Sequence, residues 1–577
     1  MENGAGRTGG DLVAETLKQA GVDRAFVLHG GHLESLFHGC IDQDIELIDF
    51  RHEASAGHAA DAYARLTGKL GVCIVTAGPG FTNVLSAISN ANLDGSPVLF
   101  IVGASPTRER ETNELQGGFD QLAVARPLAK WATTVLVTER MADITAMAIR
   151  QAMTGRKGAV LLELPIDVLH LPAPARSTAG FGATLRVKSA PTTSQVNGLL
   201  DLLQQAERPV VIAGMEAGFS GEADLVRAFA ETTRTPIVFK PAAEGLLHHA
   251  HPLHAGPTGV LGALTASGRP RPDVVVLLGA RMGMWLGGRS GAMVPADARV
   301  AQICADPTEM GRIRDIDVAI GADINETLAA ATAAAKGRDW AARDPWIDEL
   351  RNARTIARGD WGDGELPDGL HPFHAAHAAV AAAGPDAVFA LDGGEANSWA
   401  REALRMTGSH RVAAPGYLGC LGIGQGFAIG AQIAYPDRRV MLLTGDGAFG
   451  FNIQELDTMV QKRLPVVSVV LNNKMWGMSL HGQQIMYGPN YSAVSRLGDT
   501  RYADIARAFG CFSARISRQE DIAPAVEEAY ASGLPGVIEL MLADVVNPRT
   551  VQALGKTDDP SLITIPYYEN VPVNPYA

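Results

Sequence analysis

Short runs of apolar and β-branched residues alternate along the chain with longer stretches whose apolar positions recur at helical spacing. Within residues 25 to 165 the short runs are "AFVL", "IELIDF", "GVCIVTAG", "PVLFIVG" and "AVLLELP". Runs that are apolar almost throughout and are separated by helical segments are typical of parallel strands covered on both faces. The pattern therefore predicts βαβ units and doubly wound parallel sheets, an α/β fold.

Two stretches interrupt this alternation. Residues 170–194 are rich in Pro, Ser, Thr and Gly, and residues 336–370 form a charged connector. We therefore expect an N-terminal domain over residues 1–180, a middle domain over 190–345, and a C-terminal domain with an extended tail over 368–577. A chain of 577 residues suits three such domains. The first and third sets of apolar runs are similar in size and rhythm.

Composition excludes several classes of partner. A formal net charge of −13 provides no basic stripe for the phosphates of nucleic acids, and it disfavours anionic membranes. The five cysteines are far apart without a C-x-x-C pair, which indicates neither a disulfide framework nor a zinc site. The N-terminus has no signal-like apolar segment, and no apolar run approaches the roughly 20 residues that span a bilayer. These features predict a cytoplasmic protein.

The most specific pattern is Gly445-Asp446-Gly447, which is separated by 24 residues from Asn472-Asn473. Both groups follow predicted strands, and ligands of open parallel sheets bind at the carboxyl ends of strands. Glycines let backbone amides approach phosphate oxygens, and a helix expected to begin after Phe451 directs its N-terminus to the same anion. A carboxylate, an amide oxygen and a backbone carbonyl suit Mg²⁺. Asp446-Gly447 alone would indicate only a type I′ turn, and Asn472-Asn473 alone would indicate only a loop.

Glu53 is a second candidate, because it lies between the strand "IELIDF" and a helix expected over residues 53–66. On a helical projection, one face carries Ala56, Ala59, Ala60 and Tyr63, and the other carries His58, Asp61 and Arg65. The small residues allow another element to approach closely. An acid at this position can be simply a favourable partner for the helix dipole.

The spacing of the GDG and NN groups resembles the motif of thiamine diphosphate (ThDP) enzymes. Among these enzymes the chain is most similar to benzaldehyde lyase and related 2-hydroxy ketone lyases, including cyclohexanedione hydrolase. The similarity covers almost the whole chain and is carried by "LHGGH", "DFRHEASAGHAADAYAR", "TAGPGFTN", "ETNELQGGFDQ", "KWA", "GYLG" and "LHGQQ". It implies pyrimidine-binding, middle and diphosphate-binding domains, ThDP and Mg²⁺ as cofactors, and a carbon–carbon lyase or carboligase that interconverts 2-hydroxy ketones and aldehydes.

The resemblance also implies roles for individual residues. The metal ligands would be Asp446, Asn473 and the main-chain oxygen of Met475. Further residues that would contact the cofactor are Pro79, Asn83, Gly419, Leu421, Gly445, Gly447 and Ala448. Leu421 would bend the cofactor into its V shape, although it could equally be a core leucine. Glu53 would form a hydrogen bond with N1′ of the aminopyrimidine. In this family it comes from a different subunit than the diphosphate site, which implies a homodimer at minimum and, as a family expectation, a homotetramer.

For the reaction itself, the resemblance makes His32 the candidate acid and base, His29 its helper, and Gln116 a hydrogen-bond donor to the developing alkoxide. The substrate pocket would include Gly31, Pro415, Trp476 and Met478. Each of His29, His32 and Gln116 could instead be a turn residue bonded to backbone. His481, in the helix expected after Asn473, is predicted to be structural.

Two departures affect the expected substrate. Benzaldehyde lyase has an alanine where this chain has Met478, and a histidine where it has Pro415. A larger side chain narrows the pocket, at roughly 1–3 kcal/mol of discrimination per methylene, which disfavours bulky diaryl acyloins and leaves smaller or aliphatic hydroxy ketones, diketones or 2-keto acids as candidate substrates.

Other functions remain as alternatives. They are a 2-keto acid decarboxylase or acetolactate synthase-like enzyme, and a 2-hydroxyacyl-CoA lyase, for which the tail "ITIPYYENVPVNPYA" would have to close over CoA. A binding or regulatory protein without catalysis is disfavoured by the presence of Glu53. A simple nucleotide-binding protein is disfavoured because no strand leads into G-x-G-x-x-G. Acetolactate synthases bind FAD in the middle domain; no motif here decides for or against FAD, and we do not expect it.

Overall fold

Three six-stranded parallel sheets follow one another along the chain in the computed structural model, which describes residues 6–174, 181–358, 361, 365–408 and 410–574. Each sheet belongs to an α/β domain, which confirms the predicted fold class of three doubly wound parallel-sheet domains. No helix in the described ranges has both the length and the apolar character needed to cross a membrane.

The first domain contains six strands in the order β2-β1-β3-β4-β6-β5. The strands are β1 (Arg24–Leu28), β2 (Glu46–Asp49), β3 (Gly71–Val75), β4 (Val98–Ala104), β5 (Trp131–Thr134) and β6 (Val160–Pro165). The helices are α1 (Gly9–Gln19), α2 (Glu34–Asp42), α3 (Glu53–Thr67), α4 (Pro79–Asp94), α5 (Gln121–Ala125), α6 (Met141–Met153) and α7 (Ile166–His170), with 3-10 turns at Gly31–Leu33, Thr107–Glu109 and Thr138–Arg140.

The middle domain has the strand order β12-β11-β10-β7-β8-β9. Its strands are β7 (Pro209–Ala213), β8 (Ile237–Phe239), β9 (His254–Pro257), β10 (Val274–Leu278), β11 (Arg299–Cys304) and β12 (Val318–Gly321). Its helices are α8 (Thr193–Gln205), α9 (Met215–Ser220), α10 (Ala223–Thr233), α11 (Gly259–Ala266), α12 (Ile324–Ala335) and α13 (Asp344–Arg358), with 3-10 turns at Pro241–Leu246, Met284–Leu286 and Pro307–Glu309. Helix α13 lies within the expected charged connector, and its Trp346, Leu350 and Ala353 pack into the middle-domain core.

The third domain has the strand order β16-β15-β17-β18-β20-β19, which is the order of the first domain. These strands are β15 (Val388–Leu391), β16 (Arg411–Ala413), β17 (Val440–Gly445), β18 (Val467–Asn472), β19 (Phe512–Ile516) and β20 (Gly536–Met541), flanked by the hairpins β13 (Glu365–Leu366) with β14 (Gly369–Leu370) and β21 (Leu562–Ile563) with β22 (Val571–Pro572). The helices are α14 (Pro372–Ala383), α15 (Glu395–Thr407), α16 (Gly424–Ala434), α17 (Asp446–Phe451), α18 (Glu455–Gln461), α19 (Gly477–Tyr487), α20 (Tyr502–Ala508), α21 (Ile522–Ala531) and α22 (Pro548–Leu554), with a 3-10 turn at Gln519–Asp521.

The first and third domains share a hydrophobic core in which α3 packs against α16. The small residues of α3 are what allow this, as its sequence indicates. A Cβ atom on Gly426 of α16 would lie 2.7 Å from the carbonyl oxygen of Ser55, so the two helices are in backbone contact. The polar face of α3 is buried as well. On this face Arg65 donates two hydrogen bonds of 2.6 Å to Asp61 and forms an ion pair of 2.7 Å with Asp94. The pairing of charges compensates for their burial.

Candidate active site

A cavity of about 1560 Å³ lies between the middle and third domains. Its wall includes every third-domain residue that the sequence places in the site, namely Pro415, Gly419, Leu421, Gly445, Asp446, Gly447, Ala448, Asn473, Met475, Trp476 and Met478. These residues lie at or shortly after the carboxyl ends of β16, β17 and β18. The carboxyl ends of neighbouring parallel strands therefore bring the predicted residues together, as open α/β sheets generally do.

Asp446 is the first residue of α17 and is buried. A helix does begin after Phe451, as expected, namely α18 at Glu455, but a separate short helix begins at Asp446 itself, because extended Gly445 serves as its N-cap and an acid is favourable in the first turn. The alternative type I′ turn at Asp446-Gly447 is wrong, since both residues are helical. Burial raises the pKa of Asp446 to about 6, although backbone amides of Gly447, Lys474 and Met475 donate to its carboxylate. A buried carboxylate that has no cationic partner among the described residues is suited to a metal ion.

The loop after β18 presents the remaining oxygen ligands. Lys474 has a φ of +59°, an uncommon conformation for a non-glycine residue. Hydrogen bonds hold it there: its amide donates to Asn472 Oδ1 at 3.1 Å, and its carbonyl accepts from Leu497 at 2.8 Å. Gly447 must be glycine, because a Cβ atom would overlap the Trp476 ring. The carboxylate of Asp446, the amide oxygen of Asn473 and the carbonyl of Met475 lie in one cavity wall and form an all-oxygen donor set, which fits Mg²⁺.

Leu421 lies in the cavity wall with 37% of its surface exposed, so it is not a core leucine. Its loop is held by Asp392, whose carboxylate accepts hydrogen bonds from the amides of Gly422 at 3.2 Å and Gly424 at 2.8 Å. Burial raises the pKa of Asp392 to about 6 despite these bonds. The sequence analysis missed Asp392, although its position directly after strand β15 is a signal of the same kind that identified Asp446.

Glu53 begins α3, as predicted, and is 7% exposed. His52 caps the helix by accepting from the amide of Ala54 at 3.1 Å. Asn83 of α4 donates to Glu53 Oε2 at 2.9 Å, and Pro79 occupies the first turn of the same helix. Two predicted cofactor contacts, Asn83 and Pro79, are therefore on the helix that contacts Glu53.

Thr76 connects the other two first-domain candidates. Its Oγ1 lies 3.4 Å from His32 Nδ1 and 3.3 Å from Gln116 Oε1. His32 is buried, and burial lowers the pKa of its imidazole. Gln116 has a φ of +53°, which marks a constrained position for a non-glycine residue. The sequence analysis missed Thr76, because its importance depends on contacts with residues some forty positions away in either direction.

His29 is directed elsewhere. Its Nε2 lies 2.9 Å from Glu34 Oε1, its ring stacks on Phe37, and 63% of the side chain is exposed. Gly31 is exposed at the start of a 3-10 turn. His481 is completely buried between Glu395 and Asp544, whose carboxylates lie 2.8 and 2.7 Å from its ring nitrogens. Two carboxylates raise the pKa of His481 more than burial lowers it.

The two groups of candidates line different spaces within one chain. In the described part of the first domain, only Arg65 contributes to the wall of the large cavity, whereas Gln116 lines a separate cavity of about 170 Å³. Asp446 lines the large cavity, whereas Glu53 does not.

Comparison with known proteins bears on this arrangement. Three family models match the chain: the thiamine pyrophosphate enzyme N-terminal TPP binding domain over residues 7–124, the central domain over 196–331, and the C-terminal TPP binding domain over 392–540. The acetolactate synthase large subunit IlvG of Mycobacterium tuberculosis is 34% identical over 94% of this chain and 97% of its own length. The 2-hydroxyacyl-CoA lyase 2 of Homo sapiens is 30% identical over 93% of this chain and 90% of its own length.

These relatives are named for acetolactate synthesis and for 2-hydroxyacyl-CoA cleavage, so the finer resemblance to benzaldehyde lyase stays a prediction. The matched domains cover both groups of site residues, with Glu53, His32 and Gln116 in the N-terminal one and Asp446 and Asn473 in the C-terminal one. The chain belongs to the thiamine pyrophosphate (thiamine diphosphate) enzyme family.

Proposed function

We propose that the protein uses ThDP and Mg²⁺ to form or cleave the carbon–carbon bond of small 2-hydroxy ketones, interconverting them with aldehydes. The observation that carries the proposal is the cluster of His32, Thr76 and Gln116 close to Glu53 at the carboxyl end of the first sheet. When bound, ThDP supplies the nucleophilic carbon that adds to the substrate carbonyl. Asp446, Asn473 and the carbonyl of Met475 would hold Mg²⁺ and, through it, the diphosphate.

Glu53 orients the aminopyrimidine in this proposal. Asn83 occupies its Oε2, which leaves Oε1 to bind N1′ of the ring. Burial of the carboxyl and the helix that it begins keep this oxygen in one place, so that the hydrogen bond forms without rearrangement.

In this proposal His32 transfers a proton, and Gln116 stabilises the negative charge of the alkoxide. Because burial lowers the pKa of His32, its imidazole is neutral near pH 7 and accepts the proton of the substrate hydroxyl as the carbon–carbon bond breaks. His32 then returns that proton, so protons balance over the cycle. Gln116 directs Oε1 towards Thr76, and its amide nitrogen is left to donate a hydrogen bond to the alkoxide.

We further propose that the working enzyme is at least a homodimer, and a homotetramer by family expectation. The separation of Glu53 from the large cavity within one chain supports this arrangement. A second chain would bring its first domain over the Asp446 side of the cavity and complete the site.

A 2-keto acid as first substrate is the second candidate, in an acetolactate synthase-like reaction. The name of one relative described above favours it, since that protein is an acetolactate synthase large subunit. A 2-hydroxyacyl-CoA substrate gains support from the C-terminal segment, because Tyr567, Tyr568 and Glu569 line the cavity and Glu569 accepts hydrogen bonds from the backbone amides of Arg289 and Ser290 in the middle domain.

Product analysis by mass spectrometry distinguishes these candidates. Purified protein is supplied with ThDP and Mg²⁺ and with one class of substrate at a time: 2-hydroxy ketones, 2-keto acids, or one 2-hydroxyacyl-CoA. Aldehydes released from hydroxy ketones are the expected result. Release of CO₂ from 2-keto acids with hydroxy ketones left intact would overturn the proposal in favour of the second candidate.

A further inference from the structure

One buried acid of the first domain has no part in the reaction proposed above. Glu163 lies near the end of β6, is 3% exposed, and is therefore a costly residue unless its carboxylate is well bonded. Gln121 Nε2 donates to its Oε1 at 2.9 Å, and Thr134 Oγ1 donates to its Oε2. Arg110, on the surface, approaches the same oxygen at 3.9 Å.

Glu163 decides which way the amide of Gln121 faces. An ionised carboxylate only accepts hydrogen bonds, so the amide must turn its nitrogen towards Glu163. The same nitrogen donates to the carbonyl of Gly103 at 3.0 Å. The amide oxygen is thereby directed to the opposite side, where it accepts from the backbone amide of Gly78 at 2.8 Å. A flipped amide would place its nitrogen against the Gly78 amide and its oxygen against the Gly103 carbonyl and the Glu163 carboxylate, so that none of the three hydrogen bonds could form.

Gly78 in turn supports Gln116. Gly78 has a φ of +62°, and a Cβ atom on it would lie 2.9 Å from the Cα atom of Gln116, so the two backbones are in contact. Gln116 is itself in the left-handed region. The hydrogen bond from Gly78 to Gln121 therefore holds in place the Gly78 backbone, against which the constrained backbone of Gln116 packs.

We propose that Glu163 is a positioning residue for Gln116, acting through Gln121 and Gly78. The inference rests on the proposed function, in which Gln116 donates a hydrogen bond to the alkoxide. A chain of buried and well-directed hydrogen bonds behind a functional side chain is a means of holding it in its productive geometry.

A double-mutant cycle tests the link. Glu163→Leu removes the acceptor and allows the Gln121 amide to turn, and we expect it to lower kcat about tenfold or more, as small displacements of functional groups do. Glu163→Gln is the matched control. Its carbonyl can accept from Gln121 while its amide nitrogen donates to the Thr134 hydroxyl, so we expect kcat within about threefold of the native value.

The coupling with Gln116 separates positioning from general destabilisation. In a Gln116→Ala background, Glu163→Leu is expected to change kcat by less than about twofold, because the group that it positions is gone. The affinity for ThDP, measured by quenching of tryptophan fluorescence, is expected to stay within about twofold in all variants. If Glu163→Leu does not fold, Gln121→Met breaks the bond to Gly78 from the other side and takes its place in the cycle.

Two results would overturn the inference in different ways. An equal loss of kcat from Glu163→Leu in both backgrounds, or no loss in the native background, would refute the positioning role while leaving the proposed function intact. An unchanged kcat in Gln116→Ala alone would refute the role of Gln116 in the proposed function, and the inference with it.

Discussion

The role proposed for Glu53 can be tested by replacing one oxygen of its carboxyl group with an amide nitrogen. Glu53→Gln keeps the size of the side chain and its hydrogen bond with Asn83, but it cannot exchange a proton with N1′ of the aminopyrimidine. We expect kcat to fall by roughly 10²–10⁴-fold, the usual contribution of acid–base catalysis. The measurement is steady-state turnover, with melting temperature and ThDP affinity as controls for the fold. Near-normal turnover would contradict the role given to Glu53.

The two histidines of the "LHGGH" segment form a natural pair for comparison. His32 is buried beside Thr76, whereas His29 is exposed and bound to Glu34. We expect His32→Ala to lower kcat about 100-fold or more, and His29→Ala to lower it less than about threefold. The measurement is kcat over a range of pH values for both variants. A larger loss in His29→Ala than in His32→Ala would show that the assignment of acid and base is reversed.

Some of these residues could be predicted from the sequence and others could not, for a physical reason. Asp446 and Asn473 follow apolar strands directly and are part of a spaced motif, so local information identifies them. Thr76 acts only because a loop from residue 32 and another from residue 116 meet it. Gln121 likewise depends on Gly78 and Glu163, which are 43 and 42 residues away. Contacts between distant loops are not encoded in any local pattern.

At the scale of elements, the apolar runs predict the strands well, because a parallel strand buried on both faces needs apolar residues at nearly every position. The sequence analysis did not expect helix α17, in which Gly447 packs against the Trp476 ring despite the low helix propensity of glycine. The sequence analysis did not predict helix α13, because the composition of the connector is highly charged. Its buried Trp346, Leu350 and Ala353 nevertheless recur at intervals of four and three, which is helical spacing that the composition of the connector obscured.

The pairing of α3 with α16 makes stability depend on pH through His58. His58 is buried against α16, with its ring centroid 6.0 Å from that of Phe427. The charged neighbours of His58 are Asp61, which raises its pKa, and Arg65 and His52, which lower it; burial is the largest effect and lowers the pKa to about 4. The folded state therefore keeps His58 neutral while the unfolded state binds a proton below about 6.5. The stability due to neutral His58 is present above pH 6.5 and is lost as pH falls towards 4.

We expect His58→Gln to remove this dependence. At pH 5 the protonation of unfolded His58 corresponds to roughly 2 kcal/mol of lost stability in the native protein. The variant should therefore lose less stability than the native protein between pH 8 and pH 5, whatever its stability at pH 8. Urea unfolding at the two pH values measures the difference. Equal losses in both proteins would contradict the assignment of this pH dependence to His58.

At the scale of the whole molecule, the first and third domains have the same strand order, as their similar apolar rhythm indicated. Each places its candidate site residues at the carboxyl end of its own sheet. In one chain, α3 and α16 pack the two domains together, and the third-domain candidates line the large cavity, whereas Glu53, His32 and Gln116 do not. The association of chains is a property of the exposed surfaces, which local patterns of apolar residues do not specify.

Complementation between two inactive variants tests whether the site is shared. A chain with Glu53→Gln retains Asp446, and a chain with Asp446→Ala retains Glu53. In a mixed dimer, one of the two sites would combine both substitutions, and the other would contain native Glu53 from one chain and native Asp446 from its partner. Co-expression with two different affinity tags and sequential purification isolates the mixed species. We expect it to show about half of the native turnover per dimer, while each variant alone shows almost none. If both groups instead act within one chain, every site in the mixed dimer carries one substitution, and the mixed dimer is expected to be as inactive as its parents.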